Sequence, residues 1–360
     1  MIRRLLPFLL LAATLSSCTV GRMVAFGFSD IKDYKRFPSR DLEPAAEPFH
    51  FHRNETLIAK ERTTLDSLVD NSKTVAFLVM RRDTMIYERY CDGYQEDSWI
   101  ASFSMAKSFT SYLVGVAIAE GHIGSVDDKV VDYIPELKRR EGWEKVTVEH
   151  LLQMTSGAKH TENYFNPFAG VAKSYYGRRL DRQAKKVKLE AEPGTRFKYK
   201  SINTQLLGEI VTRATKRNLT DLLQEKLWTP TGSQYKASWS CDRKGEKGRE
   251  KAFSSINATA VDFAKLGRLY LNGGNWNGKQ LVPKAWVEKS TAYESAGQGD
   301  VDFYQYQWWI GKEGSFTAEG HLGQYVYVYP AKDLIIVRLG KNYGKVSWYN
   351  IFKQIAAKSA

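Results

Sequence analysis

Strand-like runs near both ends of the chain, with helical patterns between them, constrain the fold more than any other feature. Residues 74–80 and 84–90 are rich in β-branched, aromatic and apolar side chains and are separated only by Arg81, Arg82 and Asp83, which predicts an antiparallel pair. Residues 316–329 and 334–339 have the same character, split by Pro330, Ala331, Lys332 and Asp333. Between them the clearest helical patterns are 147–154, 201–215 and 219–227, with a first helix at 63–69 and a closing one at 347–358. Strands from opposite ends must meet to bury their apolar faces. The pattern therefore predicts one mixed sheet built from distant segments, with a helical lobe inserted.

Residues 1–17 read as a targeting segment: Arg3 and Arg4 precede an apolar run from Leu5 to Leu15, and Ser16 and Ser17 precede Cys18. The run is too short to cross a bilayer. Leu15-Ser16-Ser17-Cys18 resembles the lipobox of bacterial lipoproteins, implying cleavage before Cys18, acylation of that cysteine and an exported, membrane-anchored protein. A tether over residues 18–50 is expected next, from Pro38, Pro44 and Pro48 among charges.

Cleavage would remove two arginines and no acid, taking the formal charge from +13 to +11. Export and the dispersal of the lysines argue against nucleic acid as a partner. With 43% hydrophobic and 13% aromatic residues, the chain from 51 to 360 can bury a large core. The expected division is an α/β lobe from about 51–115 and 275–360 and a helical lobe from about 116–274. Cys91 and Cys241 could pair or remain free thiols.

Chemistry is carried first by Ser104-Met105-Ala106-Lys107. Residues three apart on a helix share a face, so the Ser104 hydroxyl and Lys107 amine can meet. The same spacing begins at Ser29, Ser156 and Ser233, but in loop contexts; only Ser104 leads into a helical run (Met105, Phe109, Tyr112, Leu113, Val116) that ends at Gly121. A lysine is charged at neutral pH unless its surroundings disfavour charge, so a desolvated site is required. A tyrosine held between cations could share the proton transfer as phenolate. Tyr199, after Pro193-Gly194 and before a helix, fits that place; Tyr164 is a rival that spacing cannot eliminate. His321-Leu322-Gly323 lies in the late strand run, where the glycine would admit substrate along the strand edge. The amides of Ser104 and Gln324 would then hold an oxyanion. No His-Glu-x-x-His pattern is present, and neither metal nor cofactor is expected.

Ser104-x-x-Lys107, Tyr199-Lys200-Ser201 and His321-Leu322-Gly323, in that order, resemble the serine β-lactamase and penicillin-binding protein superfamily. Leu151 to Gly157, Ile256 to Thr259 and Gly320 to Tyr325 extend the resemblance. Tyr199-Lys200-Ser201 and His321 make it closest to the class C branch, which includes esterases, D-amino-acid peptidases and hydrolases of the aminohexanoate-dimer type. The resemblance implies an α/β (α+β) fold of the β-lactamase/transpeptidase kind: a mixed, mainly antiparallel sheet flanked by helices, with an inserted helical lobe. It implies a serine hydrolase of a small ester, amide or short peptide, with Ser104 as acylated nucleophile and Lys107 and Tyr199 moving protons. Ser201, His321, Gly323 and Gln324 would bind substrate. A D-alanyl peptidase, a weak β-lactamase and a non-catalytic peptidoglycan-binding lipoprotein are the alternatives. His321 stands where many β-lactam-active members carry a lysine, so strong β-lactamase activity is not expected.

Overall fold

The computed structural model describes residues 19–293 and 303–358; the expected targeting segment and Cys18 lie outside the described residues. In chain order the strands are β1 (Ser39–Leu42), β2 (His52–Arg53), β3 (Thr74–Arg81), β4 (Thr84–Tyr90), β5 (Ile100–Ala101), β6 (Ala237–Ser240), β7 (Ile256–Ala258), β8 (Asn275–Trp276), β9 (Lys279–Gln280), β10 (Tyr304–Gln305), β11 (Trp308–Ile310), β12 (Phe316–Gly320), β13 (Gln324–Tyr329) and β14 (Leu334–Gly340). Eight form the main sheet in the order β10-β11-β12-β13-β14-β3-β4-β2, and β8 and β9 make a separate ribbon. Among the described residues only the β2–β4 pair of the main sheet is parallel.

The two ends of the chain meet where β14 pairs with β3, placing Ile336 opposite Val79 and Val337 opposite Leu78. Both strands are apolar along nearly their whole length because both faces of the sheet are covered. Alternation divides their side chains. Phe77, Val79, Tyr327 and Ile336 pack with Trp348 and Phe352 of the helix Trp348–Lys358 and with Leu65 and Val69 of the helix Glu55–Asn71. Ala76, Leu78, Met80, Val326 and Val337 face the main core, which continues into the helical lobe.

A smaller four-stranded sheet, ordered β1-β6-β7-β5, connects the lobes. The helix Ala106–Ala119 leaves its edge and packs along the helix Ser201–Thr215. The helix Ala260–Leu271 falls within the span expected for the helical lobe but packs on β13 and β14, because Phe263, Leu266 and Leu269 complete the inner face of the sheet.

Three local expectations are corrected. Residues 19–50 are part of the body: Ile31, Phe37 and Leu42 are buried, β1 pairs with β6, and the helix Thr19–Phe26 packs on the helix Gly170–Tyr176. The prolines drew attention away from these spaced apolar anchors. The first helix starts eight residues earlier than expected because Asn54 caps it, accepting a hydrogen bond from the Leu57 amide. The run 316–329 is two strands, since Leu322 and Gly323 adopt φ values of 66° and 79° and turn the chain. Cys91 and Cys241 are both free thiols.

Candidate active site

The two sheets converge on a turn at residues 102–105. Ser102 continues the β5 edge: its amide donates to the Ile256 carbonyl at 2.8 Å and its Oγ accepts from the Ile256 amide at 3.0 Å. Phe103 is then held at φ 46°, a left-handed conformation costing on the order of 1–3 kcal/mol for a bulky residue. A single 3₁₀ turn, Phe103–Met105, carries Ser104 and runs straight into the helix Ala106–Ala119. Ser104 is thereby fixed at the mouth of a helix start, with Lys107 one turn on.

Lys107 Nζ lies 2.9 Å from Ser104 Oγ and 3.0 Å from the Phe253 carbonyl oxygen. Burial brings its pKa down to about 7, with Glu162 pulling weakly the other way. A sizeable fraction of the amine is therefore unprotonated near neutral pH. None of the rival tetrads has this geometry: Ser156 bonds Asn203 at 2.5 Å while Lys159 is exposed, Lys236 pairs with Asp41 and Glu43, and Lys32 lies over the Tyr94 ring.

Both candidate tyrosines reach the serine. The Tyr199 ring centroid is 5.0 Å from Lys107 Nζ, wedged against Trp309 at 5.6 Å and Tyr304 at 5.8 Å. Tyr164 stacks on His321, centroids 5.3 Å apart and planes at 3°. Hydrogen bonding with Ser104 acts on both phenols. Burial nevertheless raises both above the ordinary tyrosine range, so the phenolate expected at Tyr199 is disfavoured and Lys107 is the group able to accept a proton.

Glu162 organises the floor of the site. Its carboxylate accepts the Ser201 amide at 2.7 Å and the Ser201 hydroxyl at 2.9 Å, and lies 2.7 Å from His160 Nδ1. Burial would raise its pKa, but His160, Lys107 and the Ser201 amide together hold it below the ordinary carboxylate range. It sits on the first amide of the helix Ser201–Thr215, where a negative charge is favoured. Ser201 is fully buried with both its groups engaged by Glu162, so it supports the site from beneath instead of gripping substrate.

The turn after β12 forms the opposite wall. At Gly320 an added Cβ would stand 2.2 Å from the Ser102 carbonyl oxygen, so this strand edge lies against the serine turn. The His321 ring meets Phe103 at 5.6 Å, and burial lowers its pKa, leaving a neutral imidazole facing the site. Gly323 does not open space for substrate: a Cβ there would lie 2.3 Å from a guanidinium nitrogen of Arg338, which donates to the Gly323 carbonyl at 2.6 Å. The Gln324 side chain is bound to Gly340 N at 3.0 Å and Gly340 O at 2.8 Å and pins the turn to β14.

A serine paired with a desolvated lysine, at the junction of a mixed sheet and a helical lobe, defines a serine hydrolase of the β-lactamase-like kind. The family described as Beta-lactamase matches residues 62–345, and the chain belongs to that family. It is 29% identical over 303 residues to a 6-aminohexanoate-dimer hydrolase of Paenarthrobacter ureafaciens, spanning 78% of this chain and 76% of that protein. A solved Bacillus anthracis protein assigned as a 6-aminohexanoate-dimer hydrolase superposes with a TM-score of 0.80 at 26% identity, covering 92% of this chain and 93% of that one. A penicillin-binding protein from Bacillus halodurans shares the fold at a TM-score of 0.65 and 15% identity, over 82% and 99% of the two chains.

Proposed function

We propose that this hydrolase cleaves a small linear amide or ester through an acyl-enzyme on Ser104. The observation that carries the reading is the 2.9 Å contact between Ser104 Oγ and a buried Lys107 whose pKa is about 7. Neutral Lys107 takes the hydroxyl proton as Ser104 attacks the carbonyl carbon. Tyr199, a neutral phenol beside both, gives its proton to the departing amine or alkoxide as it takes the one held by Lys107, so the phenol and the free amine are both restored. Tyr164 borders the same hydroxyl and orients the substrate. The Ser104 amide and an amide of the Gly320–Gln324 turn receive the oxyanion; Gln324 is the candidate there, and His321 is the turn residue that touches Phe103. Water then attacks the ester with Lys107 again as base.

The walls are aromatic: Phe103, Tyr164 and His321 on one side, Tyr199, Trp309 and Phe303 on the other. They suit an unbranched apolar chain next to the scissile bond. The kinship with 6-aminohexanoate-dimer hydrolase supports a linear amide. Neutral His321 provides no cation for the carboxylate of a β-lactam or a D-alanyl stem, which favours the amidase or esterase reading over both. The lipobox-like Leu15 to Cys18 supports export and anchoring through Cys18.

The test is incubation with a fluorophosphonate probe, followed by peptide mass spectrometry and a parallel panel of p-nitrophenyl esters, linear ω-amino amides, D-alanyl peptides and nitrocefin. The expected result is a single adduct on Ser104, turnover of esters and linear amides, and loss of at least about a thousandfold in Ser104→Ala. A folded protein that takes no probe at Ser104 would overturn the reading.

A further inference from the structure

Large apolar side chains stand exposed at the outer end of the helical lobe. Val24, Phe28, Phe165 and Phe168 are each between 68 and 79% exposed, and Phe28 and Phe165 form an edge contact with centroids 5.5 Å apart. Val24 belongs to the helix Thr19–Phe26, which starts one residue after Cys18 and packs on the helix Gly170–Tyr176. Phe165 directly follows Tyr164, so this patch adjoins the mouth of the site.

Beside it lies an open basin of about 470 Å³ whose rim carries Lys159, Lys173, Arg179, Arg182 and Lys186. All five are exposed, and among the described residues none has an acidic partner. Residues 159–188 hold eight Lys and Arg and only two acids. Both acids are engaged elsewhere, Glu162 by His160 and Ser201 and Asp181 by Arg243 at 3.4 Å. Cations left unpaired beside exposed aromatics, at the end of the body that carries the first described helix, match the chemistry of a bilayer surface: anionic headgroups for the basin and the interfacial layer for the rings.

We propose that this face rests on an anionic phospholipid bilayer, with Phe28, Phe165 and Phe168 in the headgroup layer and the basin over the phosphates. The contact is peripheral, since no described helix is long and apolar enough to cross a membrane. It stands independently of which acyl group Ser104 takes. It puts the entrance beside Tyr164 at the water–lipid boundary, where amphiphilic amides and esters concentrate.

The test uses the full chain on vesicles of phosphatidylglycerol and phosphatidylethanolamine, with brief acetylation and mass-spectrometric readout of each lysine. Lys159, Lys173 and Lys186 should be labelled at least about fivefold more slowly than without vesicles, the scale expected for a cation held at an anionic leaflet. Lys60, on the helix across the main sheet, should be unchanged. Phosphatidylcholine vesicles should give no protection. R179E/R182E and F165S/F168S should each lose most of the protection while hydrolysing a soluble ester normally without vesicles, which shows them folded. Equal labelling of the two groups on anionic vesicles would overturn the proposal, as would protection that persists in R179E/R182E or that phosphatidylcholine gives equally. Protection by a soluble anionic glycerol-phosphate polymer and not by vesicles would reassign the face to a polymer and overturn it too.

Discussion

In the proposed mechanism the chemistry turns on Lys107. Its pKa near 7 implies that turnover of an amide rises as pH goes from 5 to 8, with an inflection close to 7 in kcat/KM; a profile flat over that range, with acylation limiting, would contradict the assignment. The proposed mechanism divides the remaining work between the two tyrosines, and kinetics can separate them. Tyr199→Phe removes the proton relay and should lower kcat by about 10²–10⁴ with little change in KM. Tyr164→Phe, which keeps the ring on His321, should raise KM and leave most of kcat. The reverse pattern would exchange their roles. From the sequence, Ser104 and Lys107 were legible because an apolar helix with a defined start followed them. The choice of tyrosine was not, because Tyr164 and Tyr199 approach Ser104 from loops whose course depends on tertiary packing.

Elements explain what single residues cannot. Glu162 holds the first amide of the helix Ser201–Thr215 and lies within electrostatic reach of Lys107, raising its pKa. Glu162→Gln should therefore move the rising limb of the rate profile to lower pH; an unmoved limb would show that the carboxylate does not act on Lys107. The β12–β13 hairpin is the other precise element. Gly320→Ala sets a Cβ against the Ser102 carbonyl and should displace the serine turn, lowering kcat by roughly ten- to a hundredfold and the melting temperature by several degrees. The hairpin was hidden in the sequence because strand-like residues stand on both sides of His321-Leu322-Gly323, Phe316 and Thr317 before it and Tyr325 to Tyr329 after it. Its turn shows only in backbone angles that Leu322 would not advertise.

At the scale of the whole molecule, distant strands closing on one another were foreseeable from composition, since four apolar runs had to find partners. The role of residues 19–50 was not, because a few buried anchors among prolines and charges look like a linker. Nor was Lys251, which is fully buried over the Phe37 and Tyr175 rings with no hydrogen-bond partner for its amine among the described residues. Burial holds its pKa well below the ordinary lysine value, so the folded chain keeps it neutral where the unfolded chain binds a proton. That linkage makes stability rise with pH between the folded value and about 10.5. Lys251→Met should accordingly raise the melting temperature at pH 7, with the gain shrinking as pH approaches 10.5; an equal gain at both would point to packing alone.

The serine turn is clamped from two directions, by the Ile256 strand behind it and by Gly320 against Ser102. Those clamps are synthesised more than a hundred and two hundred residues after the serine itself. A product that stops before residue 256 thus contains Ser104 and Lys107 but lacks both clamps that hold their turn in place.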